Sequence, residues 1–194
     1  MIKTVSILFA RSDSIYKKMP GCDVWDGARD ARAWPGGNPV VAHPPCRLWG
    51  SMAHLSTAPA DEKLLAIFAV KQVQRFGGVL EHPQRSKLWP AENLPRPGLC
   101  DEFGFTMSVA QYWWGHKAEK ITWLYICGCK PKDVPPIPYC IGEASHVIAS
   151  SSNRQKIKYR PEVTKSEREH TPPKFAEWLV ELARLCFVDH NKKV

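Results

Sequence analysis

Three features of this sequence predict an α/β domain with a mostly parallel, trimmed Rossmann-like sheet flanked by helices. Short apolar stretches rich in β-formers alternate with amphipathic helical stretches. The strand-like stretches are near-continuous apolar runs, as in strands buried on both faces. Two of them stop at His-Pro steps, His43-Pro44 and His82-Pro83. Proline cannot donate to a ladder, so each step ends its strand.

The elements follow in order. Residues 3 to 9, "KTVSILF", read as the first strand and "CDVWD", Cys22 to Asp26, as a short second one. "NPVVAHPPC" holds a third, ended by Pro44. "ADEKLLAIFAVKQVQRFGG" is the strongest helix, with Leu64, Leu65, Phe68, Val73 and Phe76 near one face. Asp61 and Glu62 suit its positive end, and Gly77 suits its stop. "GGVLEHP" is the next strand and "KITWLYICG" another. "TPPKFAEWLVELARLCF" closes the chain as a helix, with Thr171 as N-cap and Phe175, Leu179, Leu182 and Leu185 as its stripe. The segment "KPKDVPPIPYC" reads as a rigid loop within one domain spanning residues 1–194.

With 44% hydrophobic residues in 194, the chain has a core and is not disordered. Its apolar runs fall short of a membrane span, and its first residues read as a core strand rather than a signal peptide. A cytoplasmic protein is expected. Seven scattered cysteines are then free thiols. One set, Cys127, Cys129, Cys140 and His146, could form a zinc site, but C-x-C is not the usual knuckle spacing and the gaps are irregular, so buried or incidental thiols and no metal are expected. Lys and Arg outnumber Asp and Glu by 27 to 19, a net charge of +8. That balance favours an anionic partner, DNA or a nucleotide. Part of the excess lies in "RQKIKYRPEVTKSER", Arg154 to Arg168, and part in Lys192-Lys193. Trp113, Trp114 and Trp123 are either base-stacking or core aromatics.

Ligands in such sheets bind beyond the carboxyl ends of the strands. Both His-Pro steps lie at such ends, so Cys46 and Glu81 are expected to share one rim. A thiol placed there suits a soft nucleophile that must leave again. Thiol and carboxyl together suit addition to an electron-poor pyrimidine: the thiolate attacks carbon 6, the acid protonates N3, and carbon 5 becomes nucleophilic.

These residues resemble a family, the DNA cytosine-5 methyltransferases. "AHPPCRLWG" resembles their Pro-Cys loop, "GGVLEHP" their Glu-Asn-Val strand, and "QYWWGHKAEKITWLYICG" their Gln-x-Arg-x-Arg strand in its phage form. "SEREHTPPKFAEWLVELAR" resembles the closing segment of short phage members, and "ILFARSDSIYKKMPGCDVWD" their opening. The resemblance implies a DNA-modifying transferase of phage type, acting in the host cytoplasm, with Cys46 as nucleophile and Glu81 as acid. It implies a substrate pocket of Pro45, Arg47, His82, Gln111, His116, Lys120 and Thr122. It implies S-adenosylmethionine as donor, with Phe9, Asp26 and Asp30 around it. The alternatives are a cofactor-independent enzyme on a pyrimidine base or nucleotide, and a non-catalytic nucleic-acid-binding or host-factor-blocking protein.

The departures are specific. Arg11, Ser12 and Asp13 stand where the cofactor loop has glycines. The chain from the first strand to "CDVWD" is too short for a crossover helix with its turns. His82 replaces the family's asparagine, and Lys120 and Thr122 stand near the place of its second arginine. The large target-recognition domain is missing, which leaves little surface for reading bases.

Overall fold

The computed structural model describes residues 2–50, 53–148 and 160–186, and Val188. One six-stranded sheet organises them: β1 (Val5–Ala10), β2 (Cys22–Asp26), β3 (Val40–Ala42), β4 (Gly78–Pro83), β5 (Gly104–Ala110) and β6 (Ile121–Cys127), in the order β2-β1-β3-β4-β6-β5. The pairs β1–β2, β1–β3 and β3–β4 are parallel, and β6 runs antiparallel to both β4 and β5. The sheet is therefore mostly parallel with an antiparallel edge, as expected for a Rossmann-like α/β fold. The chain leaves β1 for β2 on one side and reaches β3 on the other, so the switch point lies between β1 and β3.

Successive strand residues point to opposite faces, and each face has its own core. Val5, Ile7, Val41, Val79, Leu124 and Ile126 pack under helix α4 (Pro173–Leu185). Leu8, Val40, Ala42, Leu80, Tyr125 and Cys127 pack under helix α1 (Lys63–Phe76). Strands β3 and β4 approach closely where Gly78 faces Val40: a Cβ on Gly78 would lie 2.0 Å from the Val40 carbonyl oxygen, and its φ of 123° also demands glycine. Two short helices complete the fold, α2 (Leu88–Ala91) and α3 (Lys165–Glu169).

Several sequence expectations are corrected here. Helix α1 turns Ala66, Ala69, Val70 and Val73 inward, and Leu64 is 61% exposed. Small alanines let the helix axis approach the sheet, which rotates the larger predicted stripe toward the flank. Helix α4 begins one residue after Pro172, and Thr171 makes no cap; a proline already supplies the preset φ of the first turn. Leu185 is 49% exposed, and Ala176, Trp178, Val180 and Ala183 join the buried stripe instead. Strand β5 is an element that the sequence does not announce. The link between β1 and β2 holds no α-helix, only a 3₁₀ turn, Ile15–Lys18. Among the described residues no helix is long and apolar enough to cross a membrane.

Candidate active site

The parallel register pairs Ala42 with Leu80, so the residues just beyond, His43 and Glu81, emerge together at the carboxyl ends of β3 and β4. By the period of two, both point to the α4 side. His43 Nδ1 lies 3.0 Å from Glu81 Oε2, and His43 Nε2 lies 2.9 Å from the Tyr16 hydroxyl. Gln111, 1% exposed, donates from Nε2 to Glu81 Oε1 at 3.2 Å and to Thr122 Oγ1 at 3.0 Å. Thr122 in turn donates to the Lys120 carbonyl at 3.1 Å. The buried Gln111 Oε1 has no hydrogen-bond partner among the described residues.

Cys46 stands on the loop beyond β3. Its residue is exposed, yet the surrounding atoms still desolvate the sulfur and raise its pKa; the negative charge of Glu81 raises it further, against the pull of Lys120. The thiol is therefore protonated at rest. Glu81 is the opposite case. Burial pushes its carboxyl up, but the hydrogen bond and charge of His43, aided by Lys120, outweigh burial and hold it at about 2. Lys120 is itself depressed by burial, its ammonium bonded to the His170 carbonyl at 3.1 Å and its φ at 39°. Cys46, Glu81 and Lys120 act on one another electrostatically, Glu81 raising the thiol and Lys120 lowering it.

The strong ionisation of Glu81 modifies the expectation that it is the acid: in the free protein it is a carboxylate, so a proton has to reach it from elsewhere. His82 is corrected from a pocket residue to a buried support. It lies on the opposite face of β4, 1% exposed, with Nδ1 2.7 Å from Ser86 Oγ and its ring against Trp89. Burial lowers its pKa to about 4, so it is neutral. Pro45 is half-buried on the loop above it. His116 is corrected in the same sense. Its Nδ1 accepts from the Ala118 amide at 3.0 Å within the loop, and its Nε2 donates to the Glu167 carbonyl at 3.2 Å, so both nitrogens are used and one of them ties this loop to α3. Arg47 is exposed and ion-paired with Glu62.

The strand ends that the resemblance assigns to S-adenosylmethionine are differently filled. Phe9 sits at an irregularity in β1 with φ 61°, and its ring packs edge-on to Phe68 of α1 at 6.2 Å. Arg11 binds Asp13 at 2.9 Å and Glu169 at 2.6 Å, and His170 lies 3.1 Å from Asp13. Asp26 accepts from Lys17 at 2.6 Å and from the amides of Ala28 and Arg29, and Lys17 lowers its pKa most. Asp30 caps its own 3₁₀ turn and holds Arg32 at 2.7 Å. These residues do not fit the cofactor in this arrangement: side chains stand where backbone approach is needed, and both carboxylates already have cationic partners.

The candidate zinc set is not brought together. Cys127 is buried in β6, Cys140 is exposed, and His146 bonds Ser145 at 2.9 Å. Among the described residues no group of three or more His, Cys, Asp or Glu side chains is placed to hold a metal. Trp114 lies in the core beneath α4 and Trp123 packs on Trp89, whereas Trp113 is half-buried against Tyr139 at 4.8 Å. Of the basic tract, residues 154–159 lie outside the described residues, as do Lys192 and Lys193; Arg160 binds Glu119 at 2.8 Å. Tyr16 is a site residue that carries no mark in the sequence, and His43 is marked there only as a neighbour of Cys46. No family model, curated protein or solved structure matches the chain.

Proposed function

We propose that this protein is a cytosine-5-methyltransferase-like enzyme centred on the pyrimidine-activating half of that chemistry, with DNA cytosine as its first candidate substrate and a free pyrimidine nucleotide as the second. One observation carries the reading: a thiol on the Pro-Pro-Cys loop and an ionised, doubly hydrogen-bonded carboxylate stand at adjacent parallel strand ends, next to the switch point where such sheets bind ligands. Cys46 Sγ bonds to carbon 6 of the ring. The carbon 5–carbon 6 electron pair moves toward carbon 4, and N3 gains a proton while bonded to Glu81. A proton on Glu81 also removes the negative charge that holds the thiol protonated, so ring engagement and thiolate formation support each other. Carbon 5 is then nucleophilic. No step here requires a cofactor.

The test follows from that independence. In heavy water the activated ring takes a deuteron at carbon 5, loses the original proton there and expels Cys46. Cytosine in single-stranded DNA, duplex DNA, RNA or a nucleotide is expected to exchange its carbon-5 hydrogen, read by mass spectrometry. Exchange that persists in Cys46→Ala, or is absent from every substrate, overturns the reading. Parallel samples with S-adenosylmethionine separate the two enzymatic alternatives: methylated product supports a complete methyltransferase, and exchange alone supports the cofactor-independent enzyme. DNA binding without exchange favours the non-catalytic scaffold.

A further inference from the structure

We infer that His43, clamped between Tyr16 and Glu81, is the proton store of this site, passing its Nδ1 proton through Glu81 to the substrate ring. This deepens the pyrimidine reading above and rests on it.

The hydrogen-bond pattern fixes one proton of the ring. A carboxylate only accepts, so the 3.0 Å contact with Glu81 places a hydrogen on His43 Nδ1. The Tyr16 hydroxyl, 2.9 Å from Nε2, can donate to it in the neutral ring and accept from it in the imidazolium, so both charge states are met without moving the ring. Tyr16 is 1% exposed, which keeps that hydroxyl from turning to water. The His43 and Glu81 side chains are only 13% and 15% exposed. The pair is thus secluded and oriented, and one of its members is a carboxylate with no proton of its own at neutral pH.

The transfer balances. With His43 in its imidazolium form, its Nδ1–H bond breaks as an O–H bond forms on Glu81. That O–H breaks as N3–H forms and Sγ joins carbon 6. The proton that Cys46 releases restores the imidazolium, and elimination of Cys46 reverses each transfer. Among the described residues, the other charged or titratable groups that act on this assembly are Cys22 from β2, Cys46 beyond β3, Lys120 before β6 and Glu169 from α3, with His82 on the opposite face of β4. Among the described residues, only His43 both shares a hydrogen bond with the Glu81 carboxylate and can carry a transferable proton; Gln111, the other partner, cannot. His43 is a positioning and relay residue, acting on the ring through Glu81.

The experiment is the pH profile of carbon-5 exchange in the wild type, His43→Gln and Tyr16→Phe, with a histidine ¹⁵N NMR titration of the wild type and Glu81→Gln. Glutamine keeps a donor toward Glu81 but carries no transferable proton. His43→Gln is expected to lose roughly 100-fold or more and the acid–base limb that the wild type shows. Imidazole added to His43→Ala is expected to restore part of the rate. Tyr16→Phe is expected to shift the Nε2 resonance while Nδ1 keeps its hydrogen, since Glu81 still fixes it; loss of the Nδ1 hydrogen in that variant overturns the relay. A wild-type pH profile in His43→Gln, or a His43 titration unchanged by Glu81→Gln, overturns the relay and leaves the pyrimidine reading standing. No exchange in the wild type overturns that reading, and with it the ring as the destination of the proton.

Discussion

At the ends of β3 and β4, a carboxylate is held by a histidine and a glutamine that are themselves buried or nearly so, and each partner has its own support. At the ends of β1 and β2, one strand away, the carboxylates of Asp13, Asp26 and Asp30 are held by Arg11, Lys17 and Arg32, whose side chains are 41%, 42% and 63% exposed. The first arrangement is rigid and costly to alter, because removing one partner strands a buried charge. The second is made of pairs that water and salt screen. The contrast teaches that the two rims of the sheet are held by physically different means. The Glu81 carboxylate sits in a preorganised network, while the neighbouring rim is closed by ion pairs that add little to the fold.

The largest expected effect tests the rigid half. Cys46→Ala is expected to reduce carbon-5 exchange to the buffer rate while leaving the melting temperature unchanged, since the residue is exposed. Glu81→Gln is expected to lose about 100- to 10,000-fold in exchange. It also has a stability signature. A carboxyl held at about 2 contributes stability that is full above its unfolded value near 4.5 and is lost as pH falls through that window. The wild type is therefore expected to lose up to about 3 kcal/mol between those limits, and Glu81→Gln to show a flatter acid limb in denaturant titrations at stepped pH.

The next effect tests the soft half. S-adenosylmethionine is expected to bind more weakly than about 100 μM, roughly −5.5 kcal/mol, by calorimetry. Replacing Arg11, Ser12 and Asp13 by glycine is expected to tighten it. Low-micromolar binding by the wild type would erase the contrast. The smallest effect concerns DNA. Replacing Lys156, Lys158 and Arg160 by alanine is expected to flatten the salt dependence of binding, by about 0.9 in log–log slope for each phosphate that is no longer neutralised. An unchanged slope places the DNA-binding surface elsewhere.

That the carboxyl ends of β3 and β4 adjoin is legible in the sequence, because two prolines mark two strand ends and a parallel pair brings such ends together. The roles of His43 and Tyr16 are not, because a hydrogen bond across 27 residues leaves no periodic trace. Strand β5 escapes because "GFTMSVA" mixes small and polar residues, and what stabilises it is pairing along its whole length with β6. The α1 face is misjudged when apolar size, rather than closeness of approach, guides the stripe. His82 looks like a pocket residue by adjacency to Glu81, but neighbours on a strand point to opposite faces.

Helix α4 covers the β1, β3 and β4 surface from the far end of the chain, and its end is tied to the beginning: Lys3 reaches the Cys186 carbonyl at 2.9 Å and Arg184 the Pro20 carbonyl at 3.0 Å. During synthesis this has a temporal consequence. The ribosome releases every strand before the helix that shields one side of them, so the nascent sheet carries a bare apolar face until α4 emerges. Premature termination ahead of Pro173 then leaves a sticky intermediate that a chaperone must hold or a protease remove.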